Sequence, residues 1–474
     1  MLALIPWFFA GLVADPGPVP TSPAVQTAPP IETWGQPDAS GRCRDTVVWL
    51  RHDASPHGTP PEARRLETWL ELTPDLDREL MNPLSIAALN ERNRKTIGAW
   101  RDPNQPPPQE SVDLELKDRL ETLGQRVATG ELVISPPIPA GEPFERVVHR
   151  VSNASFSDRA HLLVEPADLR CVPTMTGLYR GKVDPDFDRN QCSRLHPGDL
   201  VRVQRETADG WLYVRAGHGV GWLHRPSLTP DLSREDLALL DRLSGPAEVA
   251  VVTDDLVPAW TRWGELSLLR LGAALPLVGE DPDSELVQVL VPTPFGLEEA
   301  FVLDRSSLHL GRPGFSRRAA LTLLFARLMD PYGWGGLHGF RDCSALLLDT
   351  LSIFGVKLGR HSSIQAQAGS RVLDTEAMSD AAKLATLREA HREGLVFLYM
   401  PGHIMVYLGE LDGRPYAISA ISEYLLPCPE GGHQTVRIDR VDVTDLARGE
   451  HTERTSFLRR ISRVSVFGPA RSGD

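Results

Sequence analysis

The chain has 474 residues, 41% hydrophobic and 24% charged, with a formal net charge of −13. This is ordinary globular composition, long enough for roughly two to four domains. The acidic balance, with no basic stripe, argues against a nucleic-acid partner but not against an acidic or zwitterionic ligand held in a local pocket.

In chain order, residues 1–14 are apolar and stop at Asp15. They match the apolar region of an export signal and are too short to span a bilayer. Small residues near Ala14 suit cleavage. No Lys or Arg precedes the run, so the true start could lie upstream; a disordered apolar tail is the alternative. Residues 15–40, rich in Pro, Ser and Thr, read as a flexible linker. Helical spacing follows over 60–132, through Leu66, Trp69, Leu70 and Leu72, then Leu80, Leu84, Ile86 and Leu89, then Leu114, Leu116, Leu120 and Leu123. From about 166 short strands take over. Leu200 to Glu206, a turn at Asp209-Gly210, then Trp211 to Val214 and Gly221-Trp222-Leu223 form one β-block. A second runs from about 245 to 308.

A helix is expected over 317–329, with Leu321, Leu324, Phe325 and Leu328 on one face. The glycine-rich Tyr332-Gly333-Trp334-Gly335-Gly336 precedes Arg341-Asp342-Cys343-Ser344. Beyond the cysteine, Leu346, Leu347, Thr350, Leu351 and Phe354 recur at helical spacing, so Cys343 is expected in the first turn of a buried helix. Free N–H groups and the helix dipole favour a thiolate there, and the thiolate is the nucleophile. The plain alternative is a buried core cysteine. A cysteine nucleophile needs a base. Downstream, 395–399 and 403–409 read as a hairpin around Pro401-Gly402, opened on its second strand by His403.

Five cysteines, Cys43, Cys171, Cys192, Cys343 and Cys428, leave an odd one. Cys171 and Cys192 flank the first β-block and can pair in an oxidising compartment; separate free thiols are the other reading. No CxxC pair or Cys/His ligand spacing occurs, and no metal or cofactor is expected. There is no GxGxxG, P-loop or HExxH motif.

Tyr332 to Gly336, Arg341 to Ser344, Arg360-His361-Ser362-Ser363-Ile364-Gln365 to Gly369, and Pro401-Gly402-His403 together resemble the NlpC/P60 cysteine peptidases. The resemblance is closest to the subgroup with bacterial SH3 domains ahead of the catalytic domain. It implies an α+β fold with a papain-like catalytic domain, two SH3-like barrels and a helical N-terminal region. The expected units are 1–40 signal and linker, 41–165 helical, 166–232 and 233–310 SH3-like, and 311–474 peptidase. By the same resemblance Cys343 is the nucleophile, His403 the general base and Tyr332 an oxyanion support, while Asp342 and Ser344 contact a substrate amine. Either of those two could equally cap the helix, and Tyr332 could be core. The family's third catalytic position, most often His, falls on Ser419; Glu423 and His433 are the other candidates. The implied substrates are peptidoglycan peptides with a free N-terminus, cut between γ-D-glutamate and a diamino acid, by an exported protein of the periplasm or cell envelope without a stable membrane span. A catalytically decayed module that binds wall fragments is the rival reading, and an amidase or acyltransferase a third.

Overall fold

The computed structural model describes residues 35–36, 41–135, 142–280 and 286–469. The export signal and most of the linker fall outside them. The C-terminal unit is built on a seven-stranded sheet in the order Val47–Trp49, His433–Asp445, Arg414–Pro427, His403–Leu411, Leu395–Met400, Arg463–Phe467, Arg371–Asp374. The strand His403–Leu411 shows why this sheet lies deep. Ile404, Val406 and Leu408 enter one core with the helix Cys343–Ser352, while Met405 and Tyr407 enter a second core on the other face. The hairpin turns in two residues, with Met400 paired to His403 and Gly402 at φ 87°, a conformation in which a side chain is strained.

The segment before residue 166 is not a separate helical unit. Its helices Leu66–Leu72 and Pro83–Ile97 send Trp69, Ile86 and Leu89 into the core beneath the helix that carries Cys343. Helix Gln109–Ala128 instead packs Val112 and Leu116 against Trp211, Tyr213 and Trp222 of the first β-unit. Val47–Trp49 pairs in parallel with Thr435 to Arg437, forming the sheet's outer strand. A three-residue strand gives no periodicity to read, so sequence spacing misses it.

The first β-unit begins at Ser155–Leu162, upstream of residue 166, and has six strands. The second spans Val249–Val252 to Leu308–Leu310 in a seven-stranded sheet. Helix Arg317–Phe325 ends four residues short of the expected Met329, which takes φ 76° in the turn that follows. Cys171 pairs with Cys192 and Cys43 with Cys428, leaving Cys343 as the free cysteine among the described residues. Those residues offer one candidate metal cluster, Cys43, Cys428 and Glu430, and its two sulfurs are bonded to each other. None of their helices is long and apolar enough to cross a membrane.

Candidate active site

Asp342 caps the helix that carries Cys343. Its Oδ1 accepts from Ser344 N at 3.1 Å and Ala345 N at 2.9 Å, satisfying two of the unpaired donors of the first turn. The same carboxylate receives Gly335 N at 3.0 Å, the Ser344 hydroxyl at 3.0 Å and a bidentate Arg360 at 3.0 and 2.6 Å. Ser344 Oγ also accepts from Arg360 at 2.7 Å. Asp342 and Ser344, expected at the substrate amine, thus hold the helix start together with Arg360. All three side chains are buried.

This cap reverses the electrostatic expectation for the nucleophile. Two of the N–H groups that were to favour a thiolate, those of Ser344 and Ala345, donate to Asp342, and that carboxylate is itself negative. Burial first, then Asp342, push the Cys343 thiol up to about 12, against weaker help from the Ile404 and Ser344 amides and Arg360. Burial and Asp342 thus work against the expected low-pKa thiol, both favouring the neutral form of Cys343.

The thiol is close to the N–H of Ile404, the residue after His403, and Asp342 acts electrostatically on Cys343, Tyr332 and His403 alike. His403 Nε2 lies 3.1 Å from Ser419 Oγ on the neighbouring strand. The other two candidates for the third position are engaged elsewhere. Glu423 pairs with Arg454 at 3.2 Å, and His433 lies 3.6 Å from Glu453. Burial, followed by the charge of Arg460, pulls His403 down to about 4. Tyr332 is pushed well above its ordinary value by burial, Asp342 and Cys343, so its hydroxyl stays a donor. If the Ser419 hydroxyl sets the imidazole's orientation, Ser419→Ala lowers kcat severalfold without moving the melt, and Ser419→His raises it. Steady-state kinetics on both variants check this, and wild-type rates in both would place the orienting group elsewhere.

Both β-units hold the surroundings of Cys343. Ser193 of the first accepts from Arg360 Nε at 3.0 Å, and Gln191 donates to the Gly335 carbonyl at 3.2 Å. The glycine loop meets this unit with no room for side chains. A Cβ on Gly335 would collide with the Gln191 carbonyl, and one on Gly336 would lie 2.7 Å from Arg194 Cβ, with φ of 62° and 85°. From the second unit, Asp255 takes a bidentate Arg341 at 2.5 and 2.7 Å, and Arg341 Nε reaches Asp349 at 2.7 Å. Sequence reading gave Arg341 and Arg360 no role. Both lie in the motif segments, but only their burial and partners reveal what they do.

His403, Tyr332 and Trp334 line a groove of about 480 Å³ between the first β-unit and the C-terminal sheet, with Phe187, Arg189 and Arg460 among its walls; Cys343 is not part of that lining. His403 also belongs to a wider set. His57 and His391 are likewise held at about 4, chiefly by burial. Each histidine stays neutral in the fold down to about pH 4 while the unfolded chain takes up its proton near 6.5, so on acidification the fold loses about 3 kcal/mol per histidine. The loss is absent above pH 6.5, sets in as pH falls below it and is complete near 4. Urea unfolding between pH 7.5 and 4.5 should show a steep loss of stability on the acid side.

Residues 329–414 match the model of the NlpC/P60 family, and residues 179–224 match that of an SH3 domain of the SH3b1 type. The chain thus carries an NlpC/P60 domain behind an SH3b1-type domain, and NlpC/P60 is a family of cell-wall cysteine peptidases. Among solved structures, the chain is similar to an NlpC/P60 endopeptidase from Photobacterium damselae subsp. piscicida, at 17% identity and TM-score 0.64, covering 83% of this chain and 95% of that one. An NlpC/P60 family protein from Bacillus cereus ATCC 10987 aligns at 16% identity and TM-score 0.44, over 65% of this chain and 100% of its own. No curated protein matches the chain.

Proposed function

We propose that the chain is a peptidoglycan peptide hydrolase that cuts the γ-D-glutamyl–diamino acid bond through a thioester on Cys343. The observation that carries this reading is the grouping of a lone free cysteine at a capped helix start, against the Ile404 amide, with His403 and its Ser419 partner on the adjoining strands. Nε2 of His403 faces Ser419, which leaves Nδ1 to act on the thiol. As the sulfur attacks the amide carbonyl, its proton passes to Nδ1 and the oxyanion is met by donors. The Cys343 N–H, which has no acceptor among the described residues, and the Tyr332 hydroxyl are those donors. Nδ1 returns the proton to the departing amine. Water then hydrolyses the thioester, giving a carboxylate and restoring the thiol.

Substrates are short peptides with a free N-terminus, the first β-unit closing one side of the groove. The second β-unit is a divergent SH3-like barrel on this reading. Two disulfides suit an oxidising compartment, in keeping with export to the periplasm or cell envelope. Because the working base is a neutral imidazole, the acid limb of kcat/KM should lie near pH 4, well below the ordinary histidine value. A rate profile from pH 3.5 to 8 measures it, and a limb at 6 to 7 would contradict the buried neutral state.

The decayed-module reading is favoured by one observation, the thiol held near 12 in a site whose third position is only a serine. Incubation with defined muropeptides, followed by mass spectrometry, separates the two. Cleavage at the γ-D-glutamyl bond supports the hydrolase, and binding with no product supports the decayed module.

A further inference from the structure

The groove is cationic on an acidic protein. Six Lys and Arg side chains line it against two carboxylates, Asp184 and Glu423, whereas the whole chain carries −13. Three of the cations are already balanced. Arg437 meets Asp184 at 3.2 Å, Arg454 meets Glu423 at 3.2 Å, and Arg180 reaches Glu131 at 3.5 Å. Lys182 is exposed and solvated.

Arg189 and Arg460 differ from these. Both are partly buried, and neither has an ion pair among the described residues. Each is backed by an aromatic face, Arg189 at 3.8 Å from the Trp334 ring centre and Arg460 at 5.7 Å from that of Phe457. Burial without a counter-charge lowers the pKa of both guanidinium groups. Arg460 is near enough to His403 to depress it, and Arg189 interacts with Tyr332. A desolvated, unbalanced cation is costly unless a ligand anion completes it. A planar guanidinium held against a ring is already shaped for two parallel bonds to a carboxylate.

We propose that Arg189 and Arg460 are carboxylate anchors, so that the groove takes a peptide bearing a free carboxylate on each side of the scissile amide. This rests on the hydrolase reading above and extends it. On the acyl side the carboxylate is the α-carboxylate of γ-linked glutamate. On the amine side it is a side-chain carboxylate, so the diamino acid is diaminopimelate rather than lysine.

The test uses the full chain and three tetrapeptides: L-Ala-γ-D-Glu-diaminopimelyl-D-Ala, its lysine analogue, and its glutamate α-amide. Wild type should favour the first over each of the others by about 10- to 100-fold in kcat/KM, the effect expected of one charge-assisted pair. Arg189→Gln and Arg460→Gln should each erase a different one of the two preferences and leave the other intact. Equal cleavage of all three peptides by wild type would overturn the proposal. So would survival of both preferences in both variants, including a uniform loss of rate on every peptide, which marks a merely structural arginine. Calorimetric binding to Cys343→Ala separates this from failure of the hydrolase reading. If wild type cleaves nothing but the variant binds with the same preferences, the anchors stand; binding without preference, or no binding, removes them.

Discussion

Cys343→Ala should abolish hydrolysis, by about 10⁴-fold or more, because no later group can replace the sulfur in the thioester. The same change should cost the fold little. It removes one buried sulfur and leaves the cap intact, since Asp342 receives the backbone of Ser344 and Ala345, not the thiol. The thermal melt should stay within a few degrees of wild type. Thiol titration adds a second check. With the other four cysteines in disulfides, the unreduced protein should take up alkylating agent at Cys343 alone, and slowly at neutral pH because the thiol is protonated. Full activity in the variant, or rapid labelling of several sites without reduction, would remove Cys343 from the mechanism.

Asp342→Asn should act on stability and on the nucleophile in opposite senses. The carboxylate is the counter-charge of buried Arg360, and its loss strands a guanidinium at the helix start. Breaking a buried pair in this way costs about 3–5 kcal/mol. Yet Asp342 is also, after burial, the strongest influence holding the thiol up. Removing its charge, and leaving Arg360 unbalanced beside the sulfur, should make Cys343 more acidic. Urea unfolding and the pH dependence of alkylation report the two effects separately. A destabilised protein with an unchanged alkylation profile would mean that the cap does not govern the thiol.

The parts legible in the sequence are those with a local period. The leucines after Cys343 repeat at helical spacing and form the helix Cys343–Ser352. Apolar runs on either side of Pro401-Gly402 form the hairpin, its turn marked by the one residue there that takes a positive φ readily. Ser419 came from alignment to a family pattern, and its hydroxyl does lie against His403. The electrostatics were not legible. A helix start favours an acidic thiol through free N–H groups, and Asp342 takes two of them while adding its own negative charge. Nor can spacing pair Arg341 with Asp255, Arg360 with Ser193, or Cys43 with Cys428, because those partners come from other units or from the far end of the sheet. Long-range polar pairing leaves no periodic trace.

The outer strand of the C-terminal sheet has a consequence for how the molecule is made. Val47–Trp49 and Cys43 emerge early in synthesis, but their partners, Thr435 to Arg437 and Cys428, lie 385 residues on in the case of the cysteines. Until that late stretch appears, the early strand has an unpaired edge and an unpaired thiol. Folding one domain after another from the N-terminus therefore cannot finish this protein. The sheet that carries His403 closes only when the two remote segments meet, a slow step for so large a loop. The covalent lock between Cys43 and Cys428 then waits for oxidising surroundings, so the last bond of this sheet depends on the compartment as well as on the chain.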